Sequence, residues 1–574
     1  MDRVARFDRP RRLAGLTAGA AVALSGVSAL ALEARIPLPL ADTNLDGGRS
    51  RTEGTIGLPP SLVVEQATLR IGYANALAVD PGTSGLVVAI GDAPVAELPL
   101  VAAQGDVQAE IQVPPSAFRS GANPIRFTAR QDHRAACERT AFTELWTRLD
   151  AETSHLELDL RPHPEGLTLA NLDAVLGASL YDGEPLVVTT ARPLDDAALL
   201  AWGGLVAEGA ALRRGQRPLQ IEHAGLSGAA SNETRTLDLR SARGNNLVVV
   251  GTFAELEGVL PPSLPEGAAL GVVAVRALPA DPMHAMVIIS GENDAAVTRA
   301  AEAFRSRRSD WPESAVAPVG LKAQPASAPV ASPLAHGGEV TLAEFGYATD
   351  EVPVSFTETI DIEVVLPETY YAGDGQRVEL GLDFAYGAGL APTSALIIRL
   401  NGAPWNMLRL DRSSGAIVGD ARVELPMGLF RPGRNVIGFE PVLHPADPSL
   451  CETIGTTPMF TLFDDSRLNV PRFASLARQP DLRLFATSGF PMAAAEEGLE
   501  IVLGELTRDT IAAAWTLRGK LAQSRGAPLA EIRTVRQPSG ERHILALGAP
   551  EALPVELTQA APLPLLNRLN ADPA

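Results

Sequence analysis

The feature that most constrains the fold is an internal repeat, because a segment of twelve residues returns 310 positions later with its spacing unchanged. Residues 83–94 read TSGLVVAIGDAP, and residues 393–404 read TSALIIRLNGAP. Two further blocks follow in the same order in both copies. They are 118–123 with 430–435, and 154–158 with 466–470. Three matched blocks in one order indicate that an ancestral unit was duplicated.

Each copy has the pattern of antiparallel β-structure. A short β-branched run is followed by a two-residue turn, Gly91-Asp92 or Asn401-Gly402, and then by a second run. Asn-Gly accepts the positive φ angles of a tight hairpin. Short strands at regular spacing, separated by Pro and Gly, favour a β-sandwich of the jelly-roll type over a helical domain.

Between the copies the pattern changes to alternating strands and helices. Compact apolar runs at 185–190, 246–251 and 285–291 predict buried strands, and helical spacing predicts helices over 195–208 and 293–304. This order predicts a parallel, doubly wound sheet of the flavodoxin type. The same pattern resumes after the second copy, with strands at 499–503 and 543–548 and a helix over 508–524, but that unit is shorter.

The predicted fold class is therefore multidomain α+β, with two β-sandwich domains that alternate with two flavodoxin-like α/β domains. The predicted divisions are a signal peptide at 1–31, a first sandwich at 32–165, a first α/β domain at 166–315, a Pro/Ala/Ser linker at 316–340, a second sandwich at 341–478 and a short second α/β domain at 479–574.

The N-terminus predicts export. Five arginines precede an uncharged stretch at 13–31, which closes with Ala29-Leu30-Ala31, the pattern of a cleaved secretory signal. An uncleaved anchor is the alternative, because about 19 apolar residues span a bilayer. The net charge of −20 argues against nucleic acid as a partner.

No pattern for catalysis, phosphate binding or metal binding is visible. The sequence has no G-x-G-x-x-G, P-loop, G-x-S-x-G or H-E-x-x-H motif, and we predict no cofactor and no metal. Glu157 and Asp159 alternate with leucines, which predicts the solvent face of a strand. A carboxylate pair for glycoside hydrolysis is the alternative. His133 with Cys137, and His444 with Cys451, offer too few ligands for a structural metal.

The two cysteines, Cys137 and Cys451, occupy corresponding loops of the two copies. Export to an oxidising compartment favours a disulfide, and two separate buried thiols are the alternative. Sequence alone leaves both open, because a disulfide depends on geometry.

Carbohydrate binding is the chemistry that such sandwiches support, because the C–H faces of sugars stack on aromatic rings. The candidates are Trp146, Trp405, Tyr370 and Tyr371, and packing in the core is the alternative for each. Arg126 and Arg130 match half of a cyclic di-GMP receptor motif whose other half is missing. Their spacing on a strand favours simple solvent exposure.

Taken together, the sequence resembles the family of the regulatory subunit of bacterial cellulose synthase, also labelled cyclic di-GMP-binding protein. The resemblance rests on the repeated Thr-Ser blocks, on the Phe-Arg-x-Gly-x-Asn turn of both copies and on residues 480–491, PDLRLFATSGFP. It implies carbohydrate-binding-like and flavodoxin-like domains in the periplasm, associated with the inner membrane. The partners that it implies are nascent β-1,4-glucan and the catalytic subunit of cellulose synthase.

The function expected from this resemblance is a non-catalytic subunit that supports the membrane glycosyltransferase and guides glucan during cyclic di-GMP-activated synthesis. The alternatives are a periplasmic glycan-processing enzyme and a structural envelope protein without sugar affinity. Family members continue into a C-terminal membrane anchor, and this sequence reaches Ala574 before one begins. A truncated chain and a soluble variant are both compatible with that ending.

Overall fold

The computed structural model shows two β-sandwiches and two α/β units in alternation along the chain. It describes residues 32–40, 43–91, 93–101, 105, 107–134, 144–177, 180, 183–215, 217–225, 244–278, 281–306, 311–320, 334, 337–353, 359–373, 375–444, 446, 458–476, 482–494, 498–540 and 542–561. The predicted signal peptide, most of the linker and both cysteines lie outside these residues.

The first sandwich consists of two antiparallel sheets. Its strands are β1 (Leu32–Pro37), β2 (Thr43–Asp46), β3 (Arg49–Leu58), β4 (Leu62–Asn75), β5 (Gly85–Ile90), β6 (Ala93–Pro99), β7 (Val107–Val113), β8 (Gly121–Arg130) and β9 (Trp146–Pro162). One sheet has the order β1-β9-β4-β7 with β2 also on β9, and the other has the order β3-β8-β5-β6. Alternate residues, such as Leu156 and Leu158, point into one hydrophobic core between the sheets.

The first α/β unit follows, with a six-stranded sheet. Its elements are α1 (Leu172–Gly177), β10 (Leu186–Thr190), α2 (Ala197–Arg214), β11 (Ile221–Gly225), β12 (Leu247–Thr252), β13 (Val272–Leu278), β14 (Asp281–Gly291), α3 (Asp294–Arg305) and β15 (Val316–Pro318). The strand order is β11-β10-β12-β14-β13-β15. The three predicted strands and both predicted helices are present, whereas β11, β13 and β15 were not predicted.

The sheet is mixed, so the prediction of a wholly parallel sheet is wrong. Strands β11, β10, β12 and β14 run parallel, but β13 runs antiparallel to both of its neighbours. Only two residues separate β13 from β14. So short a connection joins antiparallel neighbours, because a parallel crossover needs a dozen residues or more.

Among the described residues, α2 and α3 pack on the same face of this sheet. Val188, Val250 and Ile289 share a hydrophobic cluster with both helices. On the opposite face, Val249 and Ile288 contact the turn that carries Leu256 and Val259. In the part of the chain that the structure describes, the helices therefore do not cover both faces as the doubly wound prediction requires.

The second sandwich repeats the arrangement of the first. Its strands are β16 (Gly338–Thr341), β17 (Asp350–Pro353), β18 (Ile360–Leu366), β19 (Tyr370–Tyr371), β20 (Arg377–Tyr386), β21 (Ala395–Leu400), β22 (Ala403–Arg409), β23 (Ala416–Pro426), β24 (Gly433–Val442), β25 (Pro458–Leu462), β26 (Arg467–Val470) and β27 (Ala474–Ser475). The order β18-β24-β21-β22 corresponds to β3-β8-β5-β6 of the first copy. The two repeated segments near residues 90 and 400 thus have the same topology.

The same hydrogen bonds hold the turn before the last strand of this sheet in each copy. Asn123 accepts from the Arg119 N–H at 2.8 Å and donates to the Arg119 carbonyl at 2.8 Å. Asn435 accepts from the Arg431 N–H at 2.9 Å and donates to the Arg431 carbonyl at 2.8 Å. The repeated Asn therefore satisfies the turn backbone in place of water.

The second α/β unit has a three-stranded parallel sheet of order β29-β28-β30. Its elements are α4 (Leu482–Ser488), β28 (Leu499–Leu503), α5 (Arg508–Arg525), β29 (Ile532–Val535), β30 (His543–Leu547) and α6 (Val555–Ala560). Single 3-10 turns lie at Pro115–Ala117, Leu169–Asn171, Ala268–Leu270, Ala343–Phe345, Met427–Leu429, Met492–Ala494 and Pro550–Ala552.

The two α/β units share one hydrophobic cluster. Trp515 and Ile511 of α5, and Ile501 of β28, belong to the same cluster as α2 and the first sheet. Helix α2 is consequently buried around its whole circumference from Leu199 to Arg213, apart from Ala201. A helix that is apolar on all sides requires neighbours on all sides, and α5 is one of them.

Candidate functional site

The four predicted aromatic residues do not form one site, because they lie in two sandwiches and differ in exposure. Trp146 begins β9 in the first sandwich and is 37% exposed. Trp405 lies on β22 of the second sandwich and is 44% exposed, and Tyr371 on β19 is 51% exposed. Each of these three rings has surface that a ligand can reach.

Tyr370 is buried, which contradicts its prediction as a sugar-stacking residue. Only 4% of it is exposed, its hydroxyl donates to the Met427 carbonyl at 2.7 Å, and its ring meets Phe473 edge-on at 4.8 Å. Burial raises the pKa of this phenol to about 12. Tyr370 is therefore part of the core, where a buried tyrosine hydroxyl needs an internal acceptor.

The Trp405 side chain is held in place although its ring is exposed. Its indole N–H donates to the Glu424 carbonyl at 2.9 Å, which links β22 of one sheet to β23 of the other. Pro404 pairs with Arg399 and Asn406 with Ile398, so Trp405 is the extra residue of a β-bulge. Bulges commonly redirect a side chain at a functional surface.

The residues around Trp405 are exposed as well. Met407, two residues along β22, is 55% exposed, and the strand forms the free edge of the order β18-β24-β21-β22. The equivalent strand of the first copy carries Val95 in place of Trp405, and Glu97 in place of Met407. Glu97 forms an ion pair with Arg130 at 3.0 Å. At these two positions of the described strands, the second copy therefore carries large exposed apolar side chains and the first copy does not.

Arg126 and Arg130, which match half of the cyclic di-GMP receptor motif, form ion pairs at the surface. Arg126 pairs with Glu53 at 3.0 Å, and Arg130 pairs with Glu97. All four side chains are at least one third exposed. The two arginines share the outer face of β8, as their spacing predicts.

The strand with alternating carboxylates also has the predicted orientation. Leu156, Leu158 and Leu160 are buried, while Glu157 points outward. A hydrogen bond from His155 at 3.1 Å, together with Arg70 at 3.4 Å, lowers the pKa of Glu157. A general acid of a glycosidase needs a raised pKa instead, so Glu157 is poorly suited to that role.

A group that the sequence analysis missed lies at the carboxyl edge of the first α/β sheet. Arg192 follows β10 and forms ion pairs with Asp196 at 3.2 Å, with Glu255 at 2.5 Å and with Asp294 at 2.5 Å. Its guanidinium also lies 5.1 Å from the centre of the Trp202 ring. The sequence signal was available, because each carboxylate comes a few residues after a buried strand.

The Arg192 cluster places a surplus of negative charge at the edge where α/β sheets usually bind phosphates. Three carboxylates surround one guanidinium, which leaves a net charge of −2. Burial alone would lower the pKa of Arg192, but the three acidic partners outweigh it and raise that pKa. The surplus of negative charge disfavours an anionic nucleotide at this edge.

Neither a metal centre nor a membrane span can be assigned to the described parts of the chain. Within residues 32–561 as far as they are described, no group of three or more His, Cys, Asp or Glu side chains has metal-binding geometry. The same residues include no helix that is both long enough and apolar enough to cross a bilayer. Cys137 and Cys451, the candidate disulfide pair, lie outside the described residues.

Solved structures that resemble parts of this chain do so with low sequence identity and low TM-scores. A family 35 carbohydrate binding module from an environmental isolate is 15% identical, over 21% of this chain and 75% of that chain, with a TM-score of 0.13. The CBM36-1 domain of a multidomain xylanase from the hindgut metagenome of Trinervitermes trinervoides is 8% identical, over 22% and 96%, with a TM-score of 0.15. Such scores carry no argument about function. No curated protein matches the chain.

Family models match three of the four units. Residues 34–162 match the first CBM domain of cellulose synthase BcsB, residues 187–319 match the first FD domain, and residues 339–467 match the second CBM domain. The matches occur in the order of the structural units and together cover more than half of the 574 residues. The chain therefore belongs to the BcsB family, whose members are regulatory subunits of cellulose synthase.

Proposed function

We propose that this chain is a periplasmic, non-catalytic component of cellulose synthase that supports the membrane-embedded catalytic subunit, the glycosyltransferase, and guides nascent β-1,4-glucan during cyclic di-GMP-activated synthesis. The family membership and the predicted secretory signal support this function. The strongly acidic composition agrees with a neutral polysaccharide as the ligand better than with an anionic one. Association with the inner membrane follows from the catalytic partner.

One observation carries the glucan part of the proposal, namely the exposed and immobilised Trp405 ring. A sugar ring stacks its C–H face on an indole, and the contact costs less entropy when the indole is already held in place. The hydrogen bond from Trp405 to the Glu424 carbonyl provides that restraint. Met407 on the same strand extends the apolar surface. We place the main glucan contact at this edge, and assign secondary roles to Tyr371 and Trp146.

The remaining predicted features of the chain are part of the same proposal. The first α/β unit is of flavodoxin-like ancestry, since its order β11-β10-β12 agrees with the start of the flavodoxin order. The Arg192 cluster lies at the edge where such sheets usually bind nucleotides. On this view the α/β units act as a scaffold that positions the two sandwiches.

The experiment is a calorimetric titration of cellohexaose into the full chain and three variants. We expect Trp405→Ala to weaken binding by about 10-fold or more, and Trp405→Phe to keep most of the affinity. Val95→Ala, at the same position of the first copy, is the matched control and should bind like the parent chain. Unchanged affinity in Trp405→Ala would contradict the site.

The same titration separates the two alternative functions. A parent chain that binds no cellohexaose would indicate a structural envelope protein. Chromatography of the cellohexaose after incubation tests for an enzyme, because shortened or modified products require turnover. Recovery of the intact oligosaccharide together with binding is the result expected for a guide.

A further inference from the structure

His223 occupies an unusual position where the two α/β units meet. It lies on β11, the edge strand of the first sheet, and is only 8% exposed. Trp515 of α5 meets the imidazole edge-on, with 5.2 Å between the ring centres and 89° between the planes. Among the residues that the structure describes, neither ring nitrogen of His223 has a hydrogen-bond partner. Buried polar groups are nearly always paired, so this histidine calls for an explanation.

The groups that face His223 do not favour a positive charge on its ring. From α5 they are Trp515 and Arg508, whose guanidinium lies next to Gly225, two residues further along β11. From the neighbouring strand β10 the register partner is Val188, which is apolar and buried. No carboxylate of the described residues pairs with the imidazole. A proton on His223 would therefore be a buried cation beside another cation.

The surrounding interface keeps water away from the ring as long as α5 is in place. The Trp515 indole donates to the Leu200 carbonyl at 3.3 Å, and the Ile221 N–H of β11 donates to the Thr516 hydroxyl at 3.0 Å. Gln523, near the end of the helix, donates to the Arg217 carbonyl at 2.7 Å. These contacts lie at Trp515 and C-terminal to it along α5, and Arg508, beside Gly225, lies at the other end of the helix. Hydration of the imidazole thus requires α5 to move away from β11.

We propose that His223 is a proton-sensitive contact that releases α5 from the first α/β unit when the surroundings become acidic. Burial, followed by the charge of Arg508, lowers the pKa of His223 from 6.5 to about 4 while α5 is packed. Because the released state binds the proton more readily, packing of α5 is at full strength above pH 6.5 and weakens as the pH falls towards 4. The device lets the second α/β unit, and the sandwich connected to it, respond to the acidity of the compartment.

The test is hydrogen–deuterium exchange of the full chain at pH 7.5 and pH 5.0, after correction for the intrinsic exchange rates. Linkage predicts that the opening equilibrium of α5 rises about 30-fold between these conditions. Amides of β5 in the first sandwich, away from α5, are the internal reference, and their opening should not rise at pH 5.0. His223→Phe should abolish the rise, and His543→Gln, at an exposed position, should retain it.

A second measurement keeps the proposal testable if His223→Phe does not fold. Exchange of the imidazole Cε1 hydrogen, followed by mass spectrometry on the parent chain, reports the pKa of each histidine. A value for His223 well below 6.5 supports the proposal. A value at or above 6.5, an α5 that opens equally at both pH values, or a His223→Phe variant that opens like the parent chain would each overturn it.

Discussion

Glu208 and Arg518 form a buried ion pair although 310 residues separate them in the chain. The Arg518 Nε lies 2.6 Å from Glu208 Oε1, and the two side chains are 4% and 0% exposed. The other carboxylate oxygen, Oε2, accepts from the Leu529 N–H at 3.0 Å and lies 3.7 Å from Arg305. The pair joins α2 of the first α/β unit to α5 of the second, so the two units are held together at a shared polar centre.

We predict that Glu208→Gln weakens the packing of α5 on α2 by about 3–5 kcal/mol, because it leaves Arg518 buried without its counter-charge. The free energy of opening of α5, measured by native-state hydrogen exchange, checks this value. The control is Glu339→Gln, which removes the exposed pair with Arg467 and should cost less than about 1 kcal/mol. Equal costs in the two variants would show that the buried pair does not hold the interface.

Gly203→Ala tests the close approach of the same two helices. A Cβ atom at Gly203 would lie 2.1 Å from the Trp515 ring, so the methyl group cannot be accommodated without movement. Alanine ordinarily stabilises a helix by about 1 kcal/mol relative to glycine, yet we expect a net loss of about 1–3 kcal/mol in α5 packing. Thermal unfolding and exchange of α5 amides measure the effect.

The control for that prediction is Gly428→Ala, because open space surrounds the Cβ position there. A second variant, Gly203→Ala with Trp515→Leu, removes the ring that the methyl group would strike. The alanine should then cost less than it does beside the intact Trp515. A cost for Gly203→Ala that is the same in both backgrounds would refute the steric explanation.

Asn123→Ala and Asn435→Ala should destabilise their own sandwiches by similar amounts, about 2 kcal/mol each. Both amides are buried and make corresponding bonds, including one to Gly121 and one to Gly433, each of 3.1 Å. Exchange of the β8 amides reports the first variant, and exchange of the β24 amides the second. Each sandwich serves as the control for the other. A loss confined to one copy would mean that the repeated turns are no longer equivalent.

The stability that His284 contributes should depend on pH with the opposite sign to that of His223, because the pKa of His284 is raised and the pKa of His223 is lowered. Burial alone would lower the pKa of His284, but Glu184 and Asp281, at 3.5 Å and 2.9 Å, outweigh that effect and raise it. The contribution of His284 to folding stability is therefore present below pH 6.5, and it is lost as the pH rises through the raised pKa of His284. We expect His284→Gln to cost more stability at pH 6 than at pH 8.5, as judged by exchange of the β14 amides. A deficit that does not change with pH would exclude this linkage.

A hairpin turn and the starts of two helices could be predicted from the sequence, because the residues that cause them lie within a few positions. Asn401 and Gly402 have φ angles of 51° and 83°, the positive values that the predicted hairpin requires. Helices α2 and α3 begin directly after Asp196 and Asn293, whose side chains accept hydrogen bonds from the first turn. The repeat likewise predicted that both sandwiches would have one topology, since aligned turns and alternation specify the register.

Other features were decided by distant parts of the chain. Tyr370 and Tyr371 are adjacent on β19 and point to opposite faces, and the tertiary structure decides that the Tyr370 face packs against Met427 and Phe473. The mixed character of the sheet was not predicted, because β13 was not identified and an apolar run does not reveal the direction in which a strand runs. The sequence by itself thus determined the duplicated sandwiches and the points where α2 and α3 begin, because each cause acts within a few residues, whereas α2 ends at Arg214, six residues beyond its predicted end. The tertiary structure alone decided that α2 and α5 share one core, because Glu208, His223, Trp515 and Arg518 take their roles from neighbours some 300 residues away.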